Sequence, residues 1–328
     1  MKGETLLAVD RLTVSLHGSG NATSSVLRDV SFDLRPGETL GIVGESGSGK
    51  SLLALAIMGL LPTTASSGGR ITFEGQNLLA LSDDEMCRVR GNRIGMIFQE
   101  PGTALNPSMT VGDQVAEGLV WHRGMSWRAA HAEALRLLDR VRIADAGRRA
   151  RTYPHEMSGG QRQRVGIAIA LALEPALLIA DEPTTALDVT VQAEVLDILD
   201  ELIREQGMAL IFVSHDLGVV ARICERMIVM YAGRVMEEGA TQAVLTDPFN
   251  PYTRSLLRAV PRRLERGQRL AAIPGAVPRF AHLPRGCAFS DRCPEREARC
   301  HEVDPPWISL PEGRGSRCIH DPGRETSR

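Results

Sequence analysis

At 328 residues the chain is long for one domain and short for two full ones, which predicts a large domain with an appendage. Its 43% hydrophobic and 24% charged residues exclude general disorder. Its longest apolar run, residues 52–61, stops at Pro62, well short of the ~20 residues of a membrane span. No apolar core precedes the first acids of MKGETLLAVD, so no secretory signal is expected. Aromatic content of 4% argues against reading single-stranded nucleic acid by stacking. The net charge of -2 is uneven: residues 249–328 hold 15 basic against 9 acidic side chains. Such a tail suits a membrane surface, an acidic partner, nucleic acid or a plain solvated surface. Only Lys2 and Lys50 are lysines.

Alternating apolar residues predict strands over 12–16 and 30–34, and Pro36-Gly37 turns into an apolar strand at 39–43. A glycine-rich loop and a helix over about 51–61 follow, then strands at 71–73 and 94–98. Residues 111–143 read as helical, with Leu135, Leu138 and Val141 three apart, and a second helix covers 158–173. Beyond it, strands at 176–180, 208–213 and 227–231 alternate with helices at 189–205 and 215–224. This order predicts a parallel sheet covered by helices, with an antiparallel layer at its edge. Phe32 reads as core-facing, and Cys87 and Cys224 as packing residues. After about residue 247 prolines become frequent and periodicity fades, which marks a domain boundary.

Gly44-Glu45-Ser46-Gly47-Ser48-Gly49-Lys50-Ser51 fits the P-loop pattern G-x-x-x-x-G-K-[ST] in its required context, between a buried strand and a helix. The glycines let backbone amides wrap phosphate oxygens, and the helix adds its positive dipole end. Lys50 can reach the β- and γ-phosphates, and the Ser51 hydroxyl can ligate Mg²⁺. A buried strand ending in Asp181-Glu182 puts two carboxylates at a sheet edge where such folds bind ligands. Asp181 suits Mg²⁺, and Glu182 suits the role of general base for the attacking water.

Met157-Ser158-Gly159-Gly160-Gln161 resembles the LSGGQ signature of ABC ATPases, with Met in the leading position. That resemblance implies a head-to-tail pair of ATPase subunits, in which the signature of one covers the γ-phosphate on the P-loop of the other. It also assigns Gln99 to the Q-loop glutamine, which joins Ser51 and Asp181 at Mg²⁺, Ala186-Leu187-Asp188 to the D-loop, and His215 to the switch histidine. The family's adenine-stacking aromatic has no counterpart, since that region reads Leu16-His17. Longer stretches, QEPGTALNPSMTVGDQ from Gln99, YPHEMSGGQRQRV from Tyr153, PTTALDVTVQAEVL from Pro183, and Asn250-Pro251-Tyr252-Thr253, resemble the ATP-binding subunits of bacterial oligopeptide/dipeptide importers, a family that includes nickel importers.

Four of the six cysteines, Cys287, Cys293, Cys300 and Cys318, follow C-x5-C-x6-C-x17-C. Four thiolates can hold tetrahedral Zn²⁺ or an iron–sulfur cluster. Tight C-x2-C pairs of a zinc ribbon are absent, so spacing suits the roomier cluster, and the importer resemblance implies [4Fe–4S]. His301 and His320 are adjacent candidates.

The combined expectation is an α/β P-loop ABC ATPase core over 1–247, with a helical subdomain at about 100–172 and an irregular cysteine-rich extension over 248–328. It would hydrolyse ATP with Mg²⁺ to energise import of peptides or related solutes. The implied partners are two transmembrane permease subunits, a second ATPase subunit and, indirectly, an extracytoplasmic solute-binding protein, with no nucleic acid. The implied place is the cytoplasmic face of the inner membrane, peripherally bound. Alternatives are a soluble ABC ATPase acting on nucleic acid or ribosomes, an exporter, and an importer of nickel or another non-peptide solute.

Overall fold

Alternation sets the first strand. In β1 (Leu7–His17) Leu7, Val9, Leu12 and Val14 are buried. The register slips between Asp10 and Thr13 because Arg11 adopts φ 46, a bulge that keeps both halves facing one core. The other strands are β2 (Thr23–Leu34), β3 (Thr39–Val43), β4 (Ala65–Phe73), β5 (Gln76–Asn77), β6 (Ile94–Ile97), β7 (Leu177–Asp181), β8 (Ala209–Ser214), β9 (Arg226–Tyr231), β10 (Arg234–Ala240), β11 (Trp307–Ser309) and β12 (Gly315–Arg317).

This computed structural model describes residues 5–18, 23–100, 104–185, 187–259 and 272–320. Lys2, Pro101, Gly102 and Thr103 of the Q-loop stretch, Ala186 of the expected D-loop, and residues 260–271 and 321–328 of the expected extension lie outside the described residues. The chain divides into two units. One draws its described residues from Leu7–Asp33, Thr39–Leu79 and Val213–Arg328, the other from Met1–Leu6, Leu34–Glu38 and Ala80–Phe212.

In the first unit, β1 pairs antiparallel with β4 in a small sheet ordered β2-β1-β4-β5. A second set of strands runs β11-β12-β10-β9-β3. Here β3 and β9 are parallel, from Leu40 opposite Arg226 to Val43 opposite Val229. The remaining pairs are antiparallel, so the sheet is mixed where a parallel one was expected. The departure comes from the Ala232-Gly233 hairpin turn, with φ 46 and 80, which folds β10 straight back onto β9. The extension, expected to be irregular, then adds β12 beside β10.

In the second unit β6 and β7 are parallel, with β8 beside β7. β7 is buried throughout, as a parallel strand covered on both faces should be. The helix expected over 111–143 is two, Val111–Arg123 and Trp127–Arg140. Gly124 turns left-handed at φ 64, and the Ser126 side chain accepts from Ala129 N–H to start the next helix. Leucine spacing does not register that stop and start. Phe32 is buried as expected, and so is Cys224, but Cys87 is exposed on the short helix Asp83–Val89. Among the described residues no helix is long and apolar enough to cross a membrane.

Candidate nucleotide site

The loop after β3 has the form a phosphate cradle needs. Gly44, Gly47 and Gly49 adopt φ 152, 77 and 103, a region that L side chains rarely enter. A Cβ on Gly44 would strike the Met230 carbonyl, whereas one on Gly47 would meet open space. The first glycine is therefore fixed by packing and the second lies on the open side. Ser46 and Gly47 are exposed, while Ser48 and Lys50 are buried. Lys50 Nζ donates to the carbonyls of Gly44 at 2.8 Å and Glu45 at 3.0 Å, which folds the lysine across the loop. Among the described residues the buried Ser48 hydroxyl has no hydrogen-bond partner. Lys50 and Ser51 open the helix Lys50–Ile57, whose first amides have no intrahelical acceptor.

The extension reaches this same loop. Tyr252 Oη accepts from the Glu45 N–H at 3.0 Å. Both guanidinium ends of Arg292 donate to the Glu45 carboxylate at 2.8 Å, a bidentate pair. Neither contact was anticipated. Tyr252 lies in the Asn250-Pro251-Tyr252-Thr253 stretch, but Arg292 carries no signal beyond its position next to Cys293. Asn250 is buried and donates to Met236 O, Ser316 Oγ and Arg317 O, while its own oxygen accepts from Tyr252 N–H. That network pins the start of the helix Pro251–Ala259 to β10 and β12.

In the second unit, β7 delivers Asp181 buried and Glu182 half-buried at its end. Glu182 sits at φ 46, a strained value for a non-glycine residue that recurs at functional sites. Its carboxylate accepts from Gln99 Nε2 at 3.3 Å and from Thr185 Oγ1 at 2.8 Å. The sequence separates Gln99 and Glu182 by 83 residues, and the parallel pairing of β6 with β7 brings their ends together. Ser158 and Gln161 form a reciprocal capping box on the helix Gly159–Leu171. Ser158 and Gly159 are exposed. A Cβ on Gly160 would lie 2.6 Å from Val191 Cγ1, which seats the signature turn on the helix Val189–Gln206. The exposed Asp188 caps that helix by accepting from Thr190 and Val191 N–H.

His215 is exposed after β8, and Asp216 caps the following helix Leu217–Ile223. At the end of β1, His17 is held between Thr23 Oγ1 at 3.2 Å and Ser66 Oγ at 2.9 Å. An imidazole thus occupies the region where an aromatic was sought.

Comparison with known proteins matches residues 27–185 to the ABC transporter family and residues 236–300 to the oligopeptide/dipeptide transporter C-terminal region. The chain is 50% identical to the oligopeptide transport ATP-binding protein OppD of Salmonella typhimurium, over 96% of this chain and 93% of that protein. The chain is an ABC ATPase of the oligopeptide/dipeptide transporter family. OppD of Escherichia coli is 48% identical over 97% of this chain and 94% of its own. Among solved structures, the ATP-binding cassette MJ0796, in a dimeric post-hydrolysis state bound to ADP and Pi, is similar with a TM-score of 0.64. That likeness has 32% identity over 72% of this chain and 98% of that one.

In this ABC ATPase the four tail cysteines are free thiols that line a single pocket together with His320. His301 is exposed. Cys287 N–H donates to Cys300 O at 2.8 Å, and Glu297 N–H to Cys300 Sγ at 3.4 Å. Burial pushes the Cys287 and Cys293 thiols up to about 11 and raises Cys318. Among the described residues no group of three His, Cys, Asp or Glu side chains is placed to hold a single metal ion.

Proposed function

We propose that this chain hydrolyses ATP to drive import of peptides or related small solutes through partner permeases. The observation that carries the reading is the Glu182 carboxylate at the end of a buried strand, clasped by Gln99 and Thr185. Gln99 and Thr185 both donate to it, which fixes the carboxylate as an acceptor able to take a proton from water. The P-loop from Gly44 to Ser51 binds the phosphates, and Lys50 leaves its own loop carbonyls to pair with them. His215 contacts the γ-phosphate. Ser51, Gln99 and Asp181 offer the hard oxygen donors that fit Mg²⁺, which, when bound with ATP, neutralises phosphate charge.

Ser158, Gly159, Gly160 and Gln161 lie on a helix start whose first residues are exposed and serve the P-loop of a second ATPase subunit, and Asp188 is the D-loop aspartate. The protein works peripherally on the cytoplasmic face of the inner membrane, under two permease subunits fed by a solute-binding protein. Its cassette spans 1–247, with the helical subdomain at about 100–172, and the extension follows over 248–328.

Cys287, Cys293, Cys300 and Cys318 hold a [4Fe–4S] cluster. What supports this reading is that the four sulfurs line one pocket, the donor type an iron–sulfur cluster takes. Bound there, the cluster would supply positive charge that turns raised thiols into thiolates and would crosslink a segment with little apolar core.

The test is ATP hydrolysis by the chain assembled with its permeases and second ATPase subunit. Stimulation by peptide-loaded binding protein is expected. Stimulation by RNA or ribosomes, with no response to permeases, would exclude the reading.

A further inference from the structure

Glu45 puts a carboxylate inside a loop whose task is to hold polyanionic phosphates. Left alone, it would repel them: two like charges about 4 Å apart interact strongly at a protein surface. Arg292 meets this carboxylate with both guanidinium ends at 2.8 Å. Its side chain is 6% exposed. It also donates to Tyr231 Oη at 3.2 Å, to Pro274 O at 2.8 Å and to Ile273 O at 3.4 Å, so its orientation is set by acceptors on four residues rather than by Glu45 alone. Beneath it, Tyr231, Tyr252 and Phe289 pack ring to ring with centroids 4.6–5.3 Å apart. Tyr252 in turn takes the Glu45 N–H, which removes that amide from the set available to phosphate.

Phe289 and Arg292 both lie in the short interval between Cys287 and Cys293, whose ends face the cysteine pocket. The segment that closes one wall of that pocket is thus the segment that grips the P-loop.

We propose that Arg292 is a positioning residue for ATP binding: through Glu45 it neutralises and fixes the P-loop, so the C-terminal extension sets nucleotide affinity. The inference rests on the ATPase reading above. It predicts an electrostatic effect that a merely structural contact would not produce.

The test measures the ATP Kd of the full chain by equilibrium titration, with thermal unfolding as a folding control. Arg292→Ala should raise Kd about tenfold, an order expected for unpairing one charged hydrogen-bonded group. Arg292→Lys should fall between the two. Adding Glu45→Gln to Arg292→Ala should restore affinity to within about twofold of wild type, because the unpaired carboxylate is then gone. Glu45→Gln alone leaves Arg292 facing the loop and should tighten binding, which keeps the inference testable if Arg292→Ala fails to fold. A wild-type Kd for Arg292→Ala, no rescue in the double variant, or weaker binding by Glu45→Gln would each overturn it. Failure of the wild-type chain itself to bind ATP would instead overturn the ATPase reading.

Discussion

Glu45 and Arg292 touch, yet the segments that carry them are made in opposite ways. The P-loop is local: eight consecutive residues fix their own path through glycines at φ 152, 77 and 103 and the Lys50 bonds back to Gly44 and Glu45. The extension is held by remote partners. Asn250 reaches Met236, Ser316 and Arg317, Arg317 reaches Asp29 across 288 residues, and Arg292 reaches Glu45 across 247. A local backbone path keeps its shape when distant residues change, although the charge at Glu45 still depends on Arg292. A site of long-range contacts should fail at whichever anchor is removed.

The largest effect expected is at the chemistry. Glu182→Gln should keep ATP binding but slow turnover about 10²–10⁴-fold, read in the assembled transporter by steady-state hydrolysis. Near-normal hydrolysis would remove Glu182 from the role of base. Next comes the remote framework: Asn250→Ala strands buried carbonyls and the Tyr252 amide, and should lower stability by about 2–3 kcal/mol. Thermal or urea unfolding measures it, and a loss below about 0.5 kcal/mol would mean that the extension is not anchored there.

Smaller still, Gly160→Ala presses a methyl against Val191 and should cost about 1 kcal/mol, felt more in stimulated hydrolysis than in ATP affinity. Equal loss of both would place Gly160 in the chain's own nucleotide site and not the partner's. Finally, Cys300→Ser should abolish iron binding by anaerobically purified protein and, by loosening the segment that carries Arg292, weaken ATP binding by less than the roughly tenfold of Arg292→Ala. Stoichiometric zinc without iron in the wild-type protein would refute the cluster.

The phosphate loop, the acidic strand end and the signature turn were legible because their geometry follows from adjacent residues: glycine conformations, a capping box, a buried strand's final side chains. Gln99 and His215 stand out in the sequence only through order along the chain, and nothing in it singles out Thr185, which donates to Glu182. The break at Gly124 was missed because leucine spacing is blind to a left-handed residue between two helices. Arg292 was hidden in an arginine-rich tail, where one buried guanidinium looks like its exposed neighbours until its acceptors are known.

Sequence alone therefore determined the parts this protein carries: a glycine-rich loop, an acidic strand end, a capped signature turn and four tail thiols, each recognisable by residue type and spacing. Tertiary structure decided what those parts touch. It seated Tyr252 and Arg292 on the P-loop, gathered thiols 31 residues apart from first to last around one pocket, and set β12 beside β10. The physical reason is range. Backbone conformation and capping depend on neighbours a few residues away, whereas burial and charge pairing depend on whichever distant segment fills the space.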